Sequence, residues 1–245
     1  MENTQLISLS RQMALQRQMD VVANNIANIN TTGFKSEDLL FEDYVMPKAQ
    51  DSEFQGSDRD LHFTEDWSSR HDMQNGAIQP TGNPLDLALD GPGFMSVQTP
   101  AGERYTRNGA LQLDASGNLV DLDGNDVLGE GGPIHFDSTE TNITIAPDGS
   151  ISSSKGVKGK LKLTEFSDAQ VLTRIGDNLY SGPAGNPATD TRVDQSSLER
   201  SNVSGVNEMV SMIRVERAYQ TIANMMERQD SLRQTAMERL ADTTA

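Results

Sequence analysis

The chain has 245 residues, enough for one or two packed domains. Its 20 Lys and Arg against 36 Asp and Glu leave a net charge of −16, which excludes a general nucleic-acid face and an electrostatic anchor on anionic lipid. It has no cysteine, so disulfides, thiolate nucleophiles and Cys-ligated zinc are excluded, and its 3 histidines (His62, His71 and His135) are too scattered for a His-rich metal site.

The first predicted element is a helix from about Thr4 to Asn30. Leu15, Met19, Val22, Ile26 and Ile29 recur at alternating steps of four and three, the spacing of a helix-pairing seam. Leu6, Leu9 and Met13 begin a similar stripe upstream. Thr31-Thr32-Gly33 is the expected stop, since glycine accepts the left-handed C-cap conformation. Asn24, Asn25 and Asn28 fall in the last turns, where asparagine is a mediocre helix former. Asn24 and Asn28 share a face. They read either as fraying near a helix end or as a polar set that fixes register between packed helices.

Residues 36–80 mix acids with Phe41, Tyr44, Phe54, Phe63 and Trp67 without clear period, which predicts a partly structured, irregular connecting arm. From Gly82 the period shortens. Leu85–Asp90, Phe94–Val97, Arg104–Arg107, Leu111–Leu113, Leu119–Leu122 and Val127–Leu128 read as short strands. Gly, Pro, Asn and Asp turns separate them, and others stand at Pro147-Asp148-Gly149 and near Gly156 and Gly159. This is a mainly antiparallel β domain over 81–200. A second long helix follows from Gly205 to about Leu240, with Ser204 at the N-cap position. Met212, Val215, Tyr219, Ile222 and Met226 give it the same alternating seam.

Composition supports this division. All 9 prolines and 18 of the 20 glycines lie within 36–200, and the ends 1–35 and 201–245 are near neutral, so the middle carries the charge. The expected fold is α+β, with the terminal helices (1–35 and 201–245) paired as a coiled coil. Each seam reads as a stripe facing the chain's own core or, given its length, as a surface for helices of other subunits. There is no apolar run of 18 residues, so no membrane insertion is expected. Glu2 and Arg11 do not fit a cleaved signal peptide.

No motif of a known chemistry is complete in the sequence. Ser154 stands where a phosphate loop ending at Gly159-Lys160 needs glycine. Gly91-Pro92-Gly93 lacks the third glycine of a dinucleotide fingerprint, and no metalloprotease or nucleophile-elbow motif occurs. Asp121–Asp126 has calcium-loop composition, but its glycine is at the wrong position and Gly132 stands where the bidentate glutamate belongs. A tight turn is expected there. The sequence offers no catalytic residues, no cofactor site and no metal site. The other readings are a carbohydrate-active enzyme, which needs a defined carboxylate pair, and a calcium-regulated module.

Three stretches carry a resemblance. Asp20–Lys35 (DVVANNIANINTTGFK) is similar to the N-terminal signature of bacterial flagellar rod and hook proteins. Thr81–Phe94 (TGNPLDLALDGPGF) and Tyr105–Gly109 (YTRNG) resemble their central signature. Ser201-Asn202-Val203, Glu208-Met209 and Arg217–Gln220 resemble their C-terminal one. Met95 and Leu111 depart from it, standing where aromatics are common. Within the family, likeness is greatest to the proximal-rod member and next to the distal-rod member. The resemblance implies a structural subunit whose helices pack with copies of itself and with other rod proteins. It also implies passage through the flagellar type III export apparatus and residence in the periplasmic rod.

Overall fold

The computed structural model describes residues 2–45 and 62–242, which form two compact units. Of the described residues, 2–26, 37–45, 62–70 and 205–242 belong to the helical unit, and 27–36 and 71–204 to the β unit.

In the helical unit, α1 spans Glu2–Ala27 and α2 spans Gly205–Asp242, 26 and 38 residues. At 1.5 Å per residue they are about 39 and 57 Å long. The helix α1 ends well before Gly33, so the expected stop signal is displaced. Its last turn gives way to a turn in which the Thr31 amide and hydroxyl donate to the Asn28 carbonyl and Oδ1. The arm is more regular than its sequence predicts: β1 (Glu37–Val45) pairs with β2 (His62–His71). Phe54 lies outside the described residues.

The β unit contains β3 (Ile78–Pro80), β4 (Leu87–Asp90), β5 (Phe94–Thr99), β6 (Gly102–Thr106) and β7 (Gln112–Leu113). Next come β8 (Leu119–Val120), β9 (Asp126–Gly129), β10 (Gly132–Pro133), β11 (Thr144–Ile145), β12 (Ser150–Ser153) and β13 (Gly156–Lys160). The last are β14 (Leu163–Glu165), β15 (Thr173–Gly176), β16 (Leu179–Ser181), β17 (Asn186–Pro187), β18 (Arg192–Gln195) and β19 (Ser197–Glu199). The main sheet runs β15-β16-β6-β5-β9-β8-β7, with β10 on β9, β14 on β5 and β17 on β14. A meander β11-β12-β13 and the ladders β18-β4 and β19-β3 complete the unit, and each of these pairings is antiparallel.

Leu87, Leu89, Met95, Val97, Leu119, Val127, Phe136, Ile151, Leu161 and Val193 form the main core. Met95 and Leu111, the two departures from the signature, both lie in it. Their apolar character preserves the burial that drives the fold. A smaller core stacks Phe94 edge-on against Phe166 and Tyr180, at ring-centroid distances of 5.8 and 5.7 Å. Four lysines on or beside β13 are neutralised pairwise: Lys155 with Asp137, Lys158 with Glu140, Lys160 with Glu130 and Lys162 with Glu103. The one lysine-rich stretch is therefore not a free basic patch.

Candidate functional site

Two places carry the functional side chains, one in each unit. In the helical unit, the structure buries or half-buries every apolar seam residue on the two helices. Val22, Val215 and Ile222 are buried, while Leu15, Met19, Ile26, Met212, Tyr219 and Met226 are half-buried. Ile29 lies beyond the end of α1 and is half-buried. A second apolar stripe is exposed. On α2 it comprises Val206, Met209, Val210 and Ile213, at 69, 55, 50 and 49% exposure, and on α1 Leu9 and Met13 face solvent.

The asparagines part company. Asn24 is exposed and Asn28 half-buried, whereas Asn25 is buried. The Asn25 amide donates to the Glu37 carbonyl at 2.9 Å and accepts from the Glu37 N–H at 3.1 Å. It thus satisfies both backbone groups at the start of β1, in place of a neighbouring strand. Asn25 also bonds the Glu208 side chain in the first turn of α2, so one amide joins α1, β1 and α2. Asn25→Ala is expected to destabilise the helical unit by about 1–3 kcal/mol, because the Glu37 N–H and carbonyl lose the bonds that Asn25 makes to them. Urea unfolding measures this, and a loss well below that range means water replaces the amide.

Burial holds the Glu208 carboxyl above the ordinary glutamate value of 4.5, and the charge of Asp38 adds to the effect. The folded chain therefore binds this proton more tightly than the unfolded chain. That contribution is complete below the unfolded value and is lost as pH rises through the folded one. Glu208→Gln should then raise stability at neutral pH and flatten its fall just above pH 4.5. Thermal melting against pH is the check, and an unchanged profile would refute it.

In the β unit, Glu199 at the end of β19 is fully buried between two cations. Its Oε1 accepts from Lys35 Nζ at 2.6 Å and from the Gly76 N–H at 2.9 Å, and its Oε2 lies 3.4 Å from Arg107 Nη1. Lys35 Nζ also donates to the Gln74 carbonyl. Arg107 donates to the Gly91 carbonyl and to Asn75 Oδ1, and its guanidinium lies over Phe94. Burial pulls both Lys35 and Arg107 below their ordinary values, and Glu199 opposes this in each. Sequence reading missed this triad. Lys35 and Glu199 are 164 positions apart, and single charged residues carry no periodic signal. Lys35 and Arg107 do stand inside the signature stretches, the one available clue.

The calcium-like loop is a hairpin turn. Asp121 Oδ1 accepts from the Asp123 and Asn125 amides, and its Oδ2 accepts from Asn125 Nδ2. Asp114 heads a separate turn of the same kind, accepting from the Ser116 and Asn118 amides and from Asn118 Nδ2. Both carboxylates are engaged by the turn itself, and no group of three or more metal-ligating side chains occurs among the described residues. No helix among them is long and apolar enough to cross a membrane.

Comparison with known proteins agrees with this architecture. Residues 6–35 match the family model "Flagella basal body rod protein", residues 88–153 "Flagellar hook protein FlgE/F/G D1 domain" and residues 194–239 "Flagellar basal body rod FlgEFG protein C-terminal". The flagellar basal-body rod protein FlgF of Caulobacter vibrioides is 38% identical over 244 residues, covering 98% of each chain. FlgF of Mesorhizobium japonicum is 31% identical at 98% of each chain, and the rod protein FlgG of Bacillus subtilis 32% identical over 89% of this chain and 92% of its own. Helical termini around a β unit, matched from end to end, settle the family: this chain belongs to the flagellar basal-body rod proteins.

Proposed function

We propose that this structural subunit self-assembles through α1 and α2, packing as coiled coils with copies of itself and with other rod proteins, and passes motor torque along the rod. The observation that carries the reading is the second apolar stripe. The seam residues Val22, Val215 and Ile222 are buried within the chain, whereas Val206, Val210 and Ile213 repeat at helical spacing and face water. An exposed apolar stripe of this kind marks a protein–protein surface. Asn24 and Asn28 then help set register between subunits, and the acidic β surface faces outward, where like charge limits non-specific association. The position is the periplasmic part of the basal body, reached through the flagellar type III apparatus. End-to-end likeness to FlgF proteins favours the proximal rod over the distal rod.

The test uses exposed residues, so that folding and assembly separate. Val210→Glu with Ile213→Glu should leave the melting temperature of the free subunit nearly unchanged, since surface substitutions cost at most about 0.5 kcal/mol. Swimming and rods in isolated basal bodies should be lost. Normal motility with both changes would overturn the assembly surface.

A further inference from the structure

We propose that residues 32–36 (Thr-Gly-Phe-Lys-Ser) occupy a peptide-binding cleft of the β unit as a ligand supplied by the same chain. The inference does not rest on the assembly reading.

None of these residues belongs to a strand, yet their backbone is held in the manner of a bound peptide. Asn178 Nδ2 donates to the Thr32 carbonyl, and the Gly33 N–H donates to the Glu199 carbonyl at 2.8 Å. The Asn202 N–H donates to the Phe34 carbonyl, and Arg174 donates to the Lys35 carbonyl. The Ser36 N–H donates to Asn202 Oδ1 at 2.7 Å, and the Ser36 carbonyl accepts from the Asp72 N–H. Two side chains anchor the segment. Phe34 is buried beneath the Arg174 guanidinium, 4.2 Å from its ring centroid, and Lys35 enters the carboxylate of Glu199. Gly33 is the third determinant. Its φ is +67°, and a Cβ there would stand 2.3 Å from the Arg107 carbonyl oxygen. The cleft thus selects a glycine, an aromatic and a lysine in that order.

The host groups keep partners when the segment leaves. Glu199 retains Arg107 and the Gly76 N–H, Arg174 retains the Tyr180 hydroxyl, and Asn202 Nδ2 retains the Asp72 carbonyl. The sheet ladders use none of residues 27–36. The segment can therefore undock while the sheet stays closed, releasing the chain that follows α1 from the β unit.

Two measurements on the full chain test this. In native-state hydrogen exchange, the amides of Gly33, Ser36, Asp72 and Asn202 should exchange as one group, about 100-fold faster than those of β5 and β6. Equal rates would show that the segment opens only with the sheet. In the second, Gly33→Val blocks docking in cis, and a labelled peptide of residues 28–36 is added. The variant should bind it, and the wild-type chain should bind it more weakly by the same factor as the fraction open, since an occupied site lowers apparent affinity by that fraction. Peptides carrying Phe34→Ala or Lys35→Ala should not bind. A Gly33→Val chain whose β5 and β6 amides lose protection, or a folded one that takes no peptide, overturns the proposal.

Discussion

Glu199→Ala is expected to cost the β unit about 3–5 kcal/mol, the usual penalty for removing one partner of a buried ion pair. The reason is specific to this site. Lys35 and Arg107 each have 1% side-chain exposure beside Glu199, so its loss leaves two like charges in a dry interior. The Gly76 N–H loses its acceptor as well. Lys35→Met should cost clearly less, because Glu199 keeps Arg107 and Gly76 while methionine fills much of the lysine's volume. Urea midpoints of the three chains, read from protection of β5 and β6, order these effects. Similar midpoints for wild type and Glu199→Ala would mean that water reaches the triad, and the ion pairs would then be ornamental.

The second large effect is at the helical seams. Val22→Asp or Ile222→Asp places a carboxylate where the side chain is buried, and an unpaired buried charge is not tolerated. Loss of motility and of rods is expected, with melting of the helical unit at lower temperature. The β unit comprises 27–36 and 71–204 and contains neither residue, so its amide protection should persist. Normal swimming with either change would remove the seams from the assembly. Together with Val210→Glu and Ile213→Glu, these variants separate the seam that folds the subunit from the stripe that joins it to others.

Local physical chemistry made much of this chain legible in its sequence. The seams of α1 and α2 follow from a period that a helix imposes on any core-facing stripe, and their residues are buried or half-buried on the helices. The turns at Asp114 and Asp121 follow from side chains that cap their own backbone within four residues. The signature stretches identified the family because they span the termini and the centre in order.

Tertiary structure alone decided the rest, because the deciding contacts join distant positions. Gly33 reads as a helix stop, but its positive φ serves an approach to Arg107, 74 positions on. Asn24 and Asn28 draw attention by spacing, yet Asn25 is the buried one, since the Glu37 backbone that its amide bonds comes within reach only in three dimensions. The strands β1 and β2 show no period in sequence, because a two-stranded ribbon has no core of its own to impose one. Lys35, Arg107 and Glu199 look like solvated charges in the sequence. Only folding brings them into one dry site, where mutual pairing offsets the cost of leaving water.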